Sequence, residues 1–213
     1  GLSLQAQKVG MSPEYIKSIT PDWTGERLAD GRPKVSDALL ERLKDLSVEE
    51  AWGYLRNKGY RNQFENDWVI IDPSKAMTGR VVTAQYMPSR PDMEKYIKEE
   101  GKKEGRGQKG GTNSWPIDIL QSGDVYVADS YGKVVDGTLI GDNLGNSIYA
   151  KSQRGVVLYG GVRDHEGLEE IEGFNGWIKG ADPSYIMDMM LTSINAPIRI
   201  GRATVLPGDV VLA

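Results

Sequence analysis

Three ionisable side chains are spaced for chemistry: Asp142, then 20 intervening residues, then the adjacent pair Arg163-Asp164. An arginine presents a planar fork that holds an anionic oxygen, and an aspartate is a hard oxygen ligand for a divalent cation. Gly141-Asp142-Asn143-Leu144 falls where a strand or loop hands over to a helix. The first N–H groups of a helix have no intrahelical acceptor, so such a turn can receive a carboxylate. The apolar run Val156-Val157-Leu158 leads through Gly160-Gly161 to Arg163-Asp164, which places the pair at the end of a buried strand. On chemistry alone, a structural ion pair at a strand end explains the couple as well as a reactive site does.

Other reactive-looking residues carry less. His165 is the only histidine; alone it cannot build a metal cluster, although it can line a pocket. Glu166, Glu169, Glu170 and Glu172 read as a solvated face or a helix start favoured by the macrodipole. Met187, Met189 and Met190 read as core filler. Gly105, Gly107 and Gly110 satisfy G-x-G-x-x-G, but a dinucleotide loop needs a strand before it and a helix after it. Here a charged helix precedes and Ser114-Trp115-Pro116 follows, so the triplet is a loop. Its Lys102, Lys103, Arg106 and Lys109 read as solvated surface that can also meet an anionic substrate. The chain has no cysteine, which removes thiolate catalysis, disulfides and thiolate metal sites. A metal centre must then draw on carboxylates, water and substrate oxygens, the ligand set of Mg2+ or Mn2+ rather than of zinc.

These residues need elements to position them. Ser36 reads as an N-cap before Leu39, Leu40, Leu43 and Leu46 at helical spacing. Ser47 and Glu50 form a capping-box pattern that opens a helix ending near Gly59. Val69-Ile70-Ile71, Gly79 to Tyr86, Val125 to Asp129, Gly155 to Gly160, Ile198 to Ile200 and Val210 to Leu212 read as strands, the last two separated by the Pro207-Gly208 turn. Asp92 to Lys103 and Asn143 to Lys151 read as helices. Asp182-Pro183 is expected to start a further helix, with Ile186, Met189 and Met190 on its apolar face. Strands alternating with helices make an α/β layered domain. Its expected limits are 36–213, with 1–35 as an N-terminal extension that packs on the domain or on a neighbour.

Composition sets the outer bounds. A chain of 213 residues with 39% hydrophobic and 26% charged residues has enough apolar surface for one real core. The net charge of −4 argues against a general nucleic-acid surface. No apolar run approaches the roughly 18 residues needed to cross a membrane. The chain opens on Gly1 rather than Met. Leu2 to Gln7 is expected to be either the tail of an export signal cut near Ala6 or the remnant of a tag.

The order Asp142, 20 residues, Arg163-Asp164 resembles the D-X20-R-D signature of the RraA-like proteins and of the class II pyruvate aldolases that cleave 4-hydroxy-4-methyl-2-oxoglutarate and 4-carboxy-4-hydroxy-2-oxoadipate. Gly141-Asp142-Asn143-Leu144, Gly160-Gly161-Val162-Arg163-Asp164, Pro197-Ile198, Gly201 and Pro207-Gly208-Asp209-Val210-Val211 resemble that family's landmarks in the same order, over residues 36–213. The resemblance implies an α/β/β/α sandwich of the swivelling-domain type. It also implies a cytoplasmic homotrimer or hexamer with active sites at subunit interfaces, acting on a small 2-keto acid. Asp164 would ligate Mg2+ or Mn2+ largely alongside waters. Asp142 would hold a water that binds the metal or relays protons. Arg163 would grip the keto or enolate oxygen, and the backbone around Gly141, Asn143 and Leu144 would cradle the substrate carboxylate. The activity implied is retro-aldol release of pyruvate, decarboxylation of oxaloacetate, or both.

Three features depart from the family pattern. The chain stops at Ala213 where relatives continue and can offer an acidic group to a neighbouring site, segment 92–112 resembles an insertion, and the N-terminal extension is long. The family also contains protein-binding regulators of RNA-degrading machinery, which is the rival expectation. A methyltransferase, a third label carried in the family, lacks here the glycine-rich strand-to-helix loop that would hold a methyl donor.

Overall fold

A computed structural model describes residues 8–107 and 110–213. Leu2 to Gln7, with the export expectation that rests on them, and Lys109 lie outside the described residues. The chain folds as mixed α/β with a curled sheet, and residues of four of its helices (Ile97, Ile117, Ile148 and Leu168) pack into one core with it. The helices are α1 (Pro13–Ile19), α2 (Asp37–Leu43), α3 (Val48–Asn57), α4 (Pro91–Lys103), α5 (Trp115–Asp118), α6 (Asp142–Ser152) and α7 (His165–Glu169). The strands are β1 (Val69–Ile70), β2 (Thr78–Pro88), β3 (Asp124–Asp129), β4 (Thr138–Ile140), β5 (Val156–Val162), β6 (Gly176–Ala181), β7 (Met189–Ile194), β8 (Ile198–Ile200), β9 (Ala203–Val205) and β10 (Val210–Leu212).

Sheet order is β1-β6-β5-β3-β2-β10, with β4 added to β5 and β7 to β2. β2, β3, β5, β6 and β4 run parallel, whereas β1, β7 and β10 pair antiparallel. β6 follows one edge of β5 from Val156 to Val162; on the other, β3 pairs with Val156 to Tyr159 and β4 with Gly161 and Val162. That division brings the ends of β4, β5 and β6 together. Gly160 and Gly161 make it possible, because a Cβ on Gly160 would lie 1.8 Å from Ser130 Oγ and one on Gly161 2.9 Å from Val134 Cα. Loop 130–137 therefore crosses β5 directly over the glycine pair.

Alternation along β3 feeds both faces. Tyr126 and Ala128 join the larger core with Ile97, Ile117, Ile148 and Leu168 from the helices. Val125 and Val127 join the opposite core with Ile198 and Ile200 of the β8–β9 hairpin. A parallel strand covered on both sides needs apolar residues throughout, which is why Val125 to Ala128 reads as a continuous run. α3 buries none of its residues in the single chain, and among the described residues no helix is long and apolar enough to cross a membrane.

The cap signals at Ser36 and at Ser47 with Glu50 operate as the sequence indicates. The helix expected from Asp182 does not form. Asp182 Oδ1 accepts from both the amide and the hydroxyl of Ser184 (3.0 and 2.5 Å), closing a local turn instead of capping a helix. Asp188 adopts φ 54°, and Met189 and Met190 enter β7, which pairs with β2. The spacing of Ile186, Met189 and Met190 imitates a helical face because β7 is buried on both sides. Sequence reasoning also missed α1, α5, β4, β6 and β9, while α7 (His165–Glu169) realises the helix-start alternative for the glutamate run. For α1 the signal was present: Ser12 caps Tyr15 and Pro13 occupies the first turn.

Candidate functional site

Hydrogen bonding at the strand ends builds the site. Ile140 pairs with Val162, Arg163 N donates to Ile140 O at 2.9 Å, and Asp182 N donates to Val162 O at 3.0 Å. Residues after β4, β5 and β6 are thus adjacent, beyond the carboxyl ends of parallel strands, where α/β sheets bind ligands. Gly141 follows β4 and is the N-cap of α6. Arg163-Asp164 follows β5.

A Cβ on Gly141 would lie 2.4 Å from Asp164 Oδ2 and 2.9 Å from Arg163 Nε. The structure therefore brings together Gly141, Arg163 and Asp164, three of the residues singled out in the sequence. Asp142 is beside them in the first turn of α6, half-buried, where Gly167 of α7 gives it room: a Cβ there would come within 2.9 Å of Asp142 Cβ. Asp142 Oδ1 accepts from the Asn143 amide at 2.7 Å. The amide expected to help receive a carboxylate at Asn143 is thus already engaged. The first intrahelical bond runs from Gly145 N to Gly141 O, so the Leu144 amide is among the first-turn donors that a helix itself leaves unpaired.

Asp164 is left-handed (φ 53°, ψ 45°) and makes no side-chain cap with α7. A non-glycine residue held there costs on the order of 1–3 kcal/mol, least for Asp and Asn, and six other described non-glycine residues also have positive φ. Arg163 Nε lies 3.7 Å from Asp164 Oδ2, with the two side chains 40% and 47% exposed. That is longer than a hydrogen bond, and an exposed pair of this kind contributes about 0–1 kcal/mol. A structural ion pair does not account for the strained backbone or for the glycine beside it.

Among the described residues no three His, Cys, Asp or Glu side chains are grouped to hold a metal ion. A cation here would take one or two carboxylates and complete its shell with water and ligand oxygens, the habit of Mg2+. His165 lies 3.4 Å from Glu169 along α7, and Glu166, Glu169, Glu170 and Glu172 are exposed. Gly105 and Gly107 follow α4 and precede a single turn of 3-10 helix at Thr112–Ser114, which is not a strand-to-helix phosphate loop.

Sequence reasoning missed Tyr185. Its ring centroid is 5.9 Å from the Arg163 guanidinium carbon, within the range of a cation–π contact. No local signal could have placed it, because loop 182–188 reads as a helix in the sequence.

The sequence pattern of the RraA-like family, described as Aldolase/RraA, matches residues 32–213. The chain is similar to the crystal structure of Streptomyces coelicolor RraAS2, described as an unusual member of the RNase ES inhibitor RraA protein family. Identity is 25%, covering 89% of this chain and 83% of that one, with a TM-score of 0.69. It shares its fold with an uncharacterized protein from Pseudomonas syringae pv. tomato, at 19% identity over 88% of this chain and 78% of the other, with a TM-score of 0.67.

Proposed function

The chain belongs to the RraA-like family, and from that premise we propose that it is a divalent-metal-dependent lyase acting on small 2-keto acids. The observation that carries the reading is the crowding at Gly141, where only the absence of a Cβ lets the Asp164 carboxylate and Arg163 share one spot. The donor set fits a hard cation: carboxylates on strand and helix ends, no cysteine in the chain, and Asp164 held with its carboxylate unspent on a cap. Asp164, with waters, would hold Mg2+ or Mn2+. When bound, such an ion supplies Lewis-acid polarisation of a 2-keto oxygen.

The chain's own groups supply the rest. Arg163 donates to the keto oxygen as negative charge develops on it during cleavage of the C3–C4 bond, a stabilisation that grows towards the transition state. The N-terminal turn of α6 orients the substrate carboxylate through the Leu144 amide, the Asn143 amide being held by Asp142. Asp142 holds the water that removes the 4-hydroxyl proton in a retro-aldol cleavage. Oxaloacetate decarboxylation needs the same charge stabilisation without that base, so one site serves both reactions. As the family resemblance implies, the site, part-exposed in the single chain, is expected to be covered by a second copy in a homotrimer or hexamer.

The test is pyruvate release from oxaloacetate and from 4-hydroxy-4-methyl-2-oxoglutarate with Mg2+ or Mn2+, repeated with EDTA. Asp164→Asn is the matching variant, since asparagine tolerates the left-handed backbone. Release that disappears with EDTA, and that falls about a hundredfold or more in the folded variant, is expected. Undiminished activity in that variant would sink the assignment. The similarity to RraAS2 favours a second reading, a protein-binding regulator of RNA-degrading machinery. Stoichiometric capture of a ribonuclease by a protein without lyase activity would establish it instead.

A further inference from the structure

Most of the large apolar side chains left exposed in the single chain fall in two places. Leu39, Leu46, Val48, Trp52, Tyr54 and Tyr60 are on the arm made by α2, α3 and the turn after them. Tyr131, Val135, Tyr185 and Met187 are on loops 130–137 and 182–188. Those loops border the site: Asp182 N donates to Val162 O, and the Tyr185 ring lies beside the Arg163 guanidinium. They are also interlocked, since Ser184 Oγ accepts from the Asp136 amide at 2.7 Å and Met187 N donates to Asp136 O at 2.8 Å. Apolar residues exposed singly need no explanation, but grouped ones mark surfaces that another body covers.

The single chain does not account for the arm. An isolated helix of this length is marginal in water, and helices are held mainly by packing an apolar face. α3 has such a face, with Val48, Ala51, Trp52 and Leu55 at helical spacing, yet it buries none of its residues. Charge narrows what covers it. The acidic residues of the arm end at Glu50, and residues 51–62 carry Arg56, Lys58 and Arg61 alone. The Arg56 guanidinium carbon is 5.1 Å from the Trp52 ring centre, and Lys58 Nζ is 5.7 Å from that of Tyr54. The two loops at the site carry Asp136, Asp182 and Asp188 against Lys133, whose Nζ donates to Met187 O at 2.9 Å. One surface is thus apolar and basic, the other apolar and acidic, which makes them complementary.

The two surfaces lie at opposite ends of the parallel strands. α2 is anchored at the start of β2, where Thr78 Oγ1 donates to Leu40 O at 2.8 Å and Arg80 Nη1 to Asp37 Oδ1 at 2.9 Å. The site lies beyond the carboxyl ends of β4, β5 and β6, and β5 runs in the direction of β2. Joining arm to loops therefore takes two copies. Because the two surfaces differ, the contact is head-to-tail, and such contacts form a ring when the rotation closes.

We infer that the α2–α3 arm of one copy covers the site of the next, with Trp52 and Tyr54 against loops 130–137 and 182–188. The inference rests on the expectation that a second copy covers the site, and not on the reaction, so it is read by mass and cross-linking rather than by turnover. At micromolar concentration the wild-type chain should sediment as a trimer or hexamer. Trp52→Glu should raise the subunit dissociation constant about thirtyfold or more, the effect of losing an interface hot spot. Its circular dichroism should stay that of the wild type, because α3 buries nothing in the subunit. The absence of cysteine allows a second measurement on an intact arm. Tyr54 and Val135 are 66% and 62% exposed, so Tyr54→Cys with Val135→Cys should preserve the fold. A short bismaleimide should link this double variant into covalent dimers and trimers, and neither single variant.

Cross-linking of Tyr54→Cys alone would mean that two arms pair with each other, and would overturn the inference. So would an oligomer that Trp52→Glu leaves equally tight, or one in which the double variant does not link. The expectation of a covered site would then stand without this arm. A wild-type chain that sediments as a monomer would remove both, whatever its activity.

Discussion

At Gly141 the backbone is extended, with φ −121° and ψ −166°, a conformation open to any residue. Glycine is required there for space alone, because a methyl group would enter the volume shared by Asp164 Oδ2 and Arg163 Nε. Gly141→Ala therefore separates stability from activity. Both side chains are part-exposed and can turn outward, so thermal stability should change little. Displacing a carboxylate and a guanidinium by about an ångström should lower kcat/KM about tenfold to a hundredfold. Parallel thermal melts and pyruvate-release kinetics on the variant read both quantities. An Ala variant with full activity would mean that this crowding is incidental to catalysis. Asp164 poses the complementary case: its backbone is left-handed and its side chain makes no cap bond, so the residue proposed to hold the metal is also a strained one.

At the scale of elements, Ser184 couples two loops that lie far apart in sequence. Ser184→Ala removes the Oγ bonds to Asp182 and Asp136 and leaves the Asp136 amide without its acceptor, a cost of about 1–3 kcal/mol. The loss should be local: amide exchange at Met187, which bonds Asp136 O, should quicken about tenfold or more, while exchange in β3 stays slow. Unchanged exchange at Met187 would show that the loops do not depend on this serine. The same distance in sequence explains what was legible. Ser36 with Leu39, and Ser47 with Glu50, are bonds between residues three apart, so their patterns can be seen locally. The Asp142 to Arg163-Asp164 spacing was legible through the family resemblance; in space the two motifs follow β4 and β5, whose paired ends bring them together, and β4 itself was missed. Tyr185 was not, since its place depends on partners of Ser184 that are 46 and 48 residues away. β7 was misread because burial on both faces erases the alternation that identifies a strand.

For the molecule as a whole, the segment before α2 helps to lock the sheet that carries the site. Val9 and Ile16 are fully buried, Gly10 bridges Ile194 of β7, and Arg32 makes two hydrogen bonds to Asp124 at 3.0 and 2.9 Å, both side chains wholly enclosed. Burial works against the Arg32 charge, but Asp124 and Asp30 more than offset it and raise its pKa. The guanidinium therefore stays charged across the working pH range, and Asp124, at the start of β3, depends on it. Arg32→Met strands that carboxylate in the core and should cost about 3–5 kcal/mol. In a chain of this length, where 1 kcal/mol moves the melting point by roughly 2–4 °C, a fall of about 10 °C should follow. Replacing both partners, as Arg32→Met with Asp124→Leu, removes the stranded charge and should recover much of the loss. Below its melting transition the single variant should match the wild-type protein in the pyruvate-release assay, because Arg32 supports β3 while the residues proposed to react follow β4 and β5. If Arg32→Met melted with the wild-type protein, this segment would be an appendage rather than a part of the fold that holds the site.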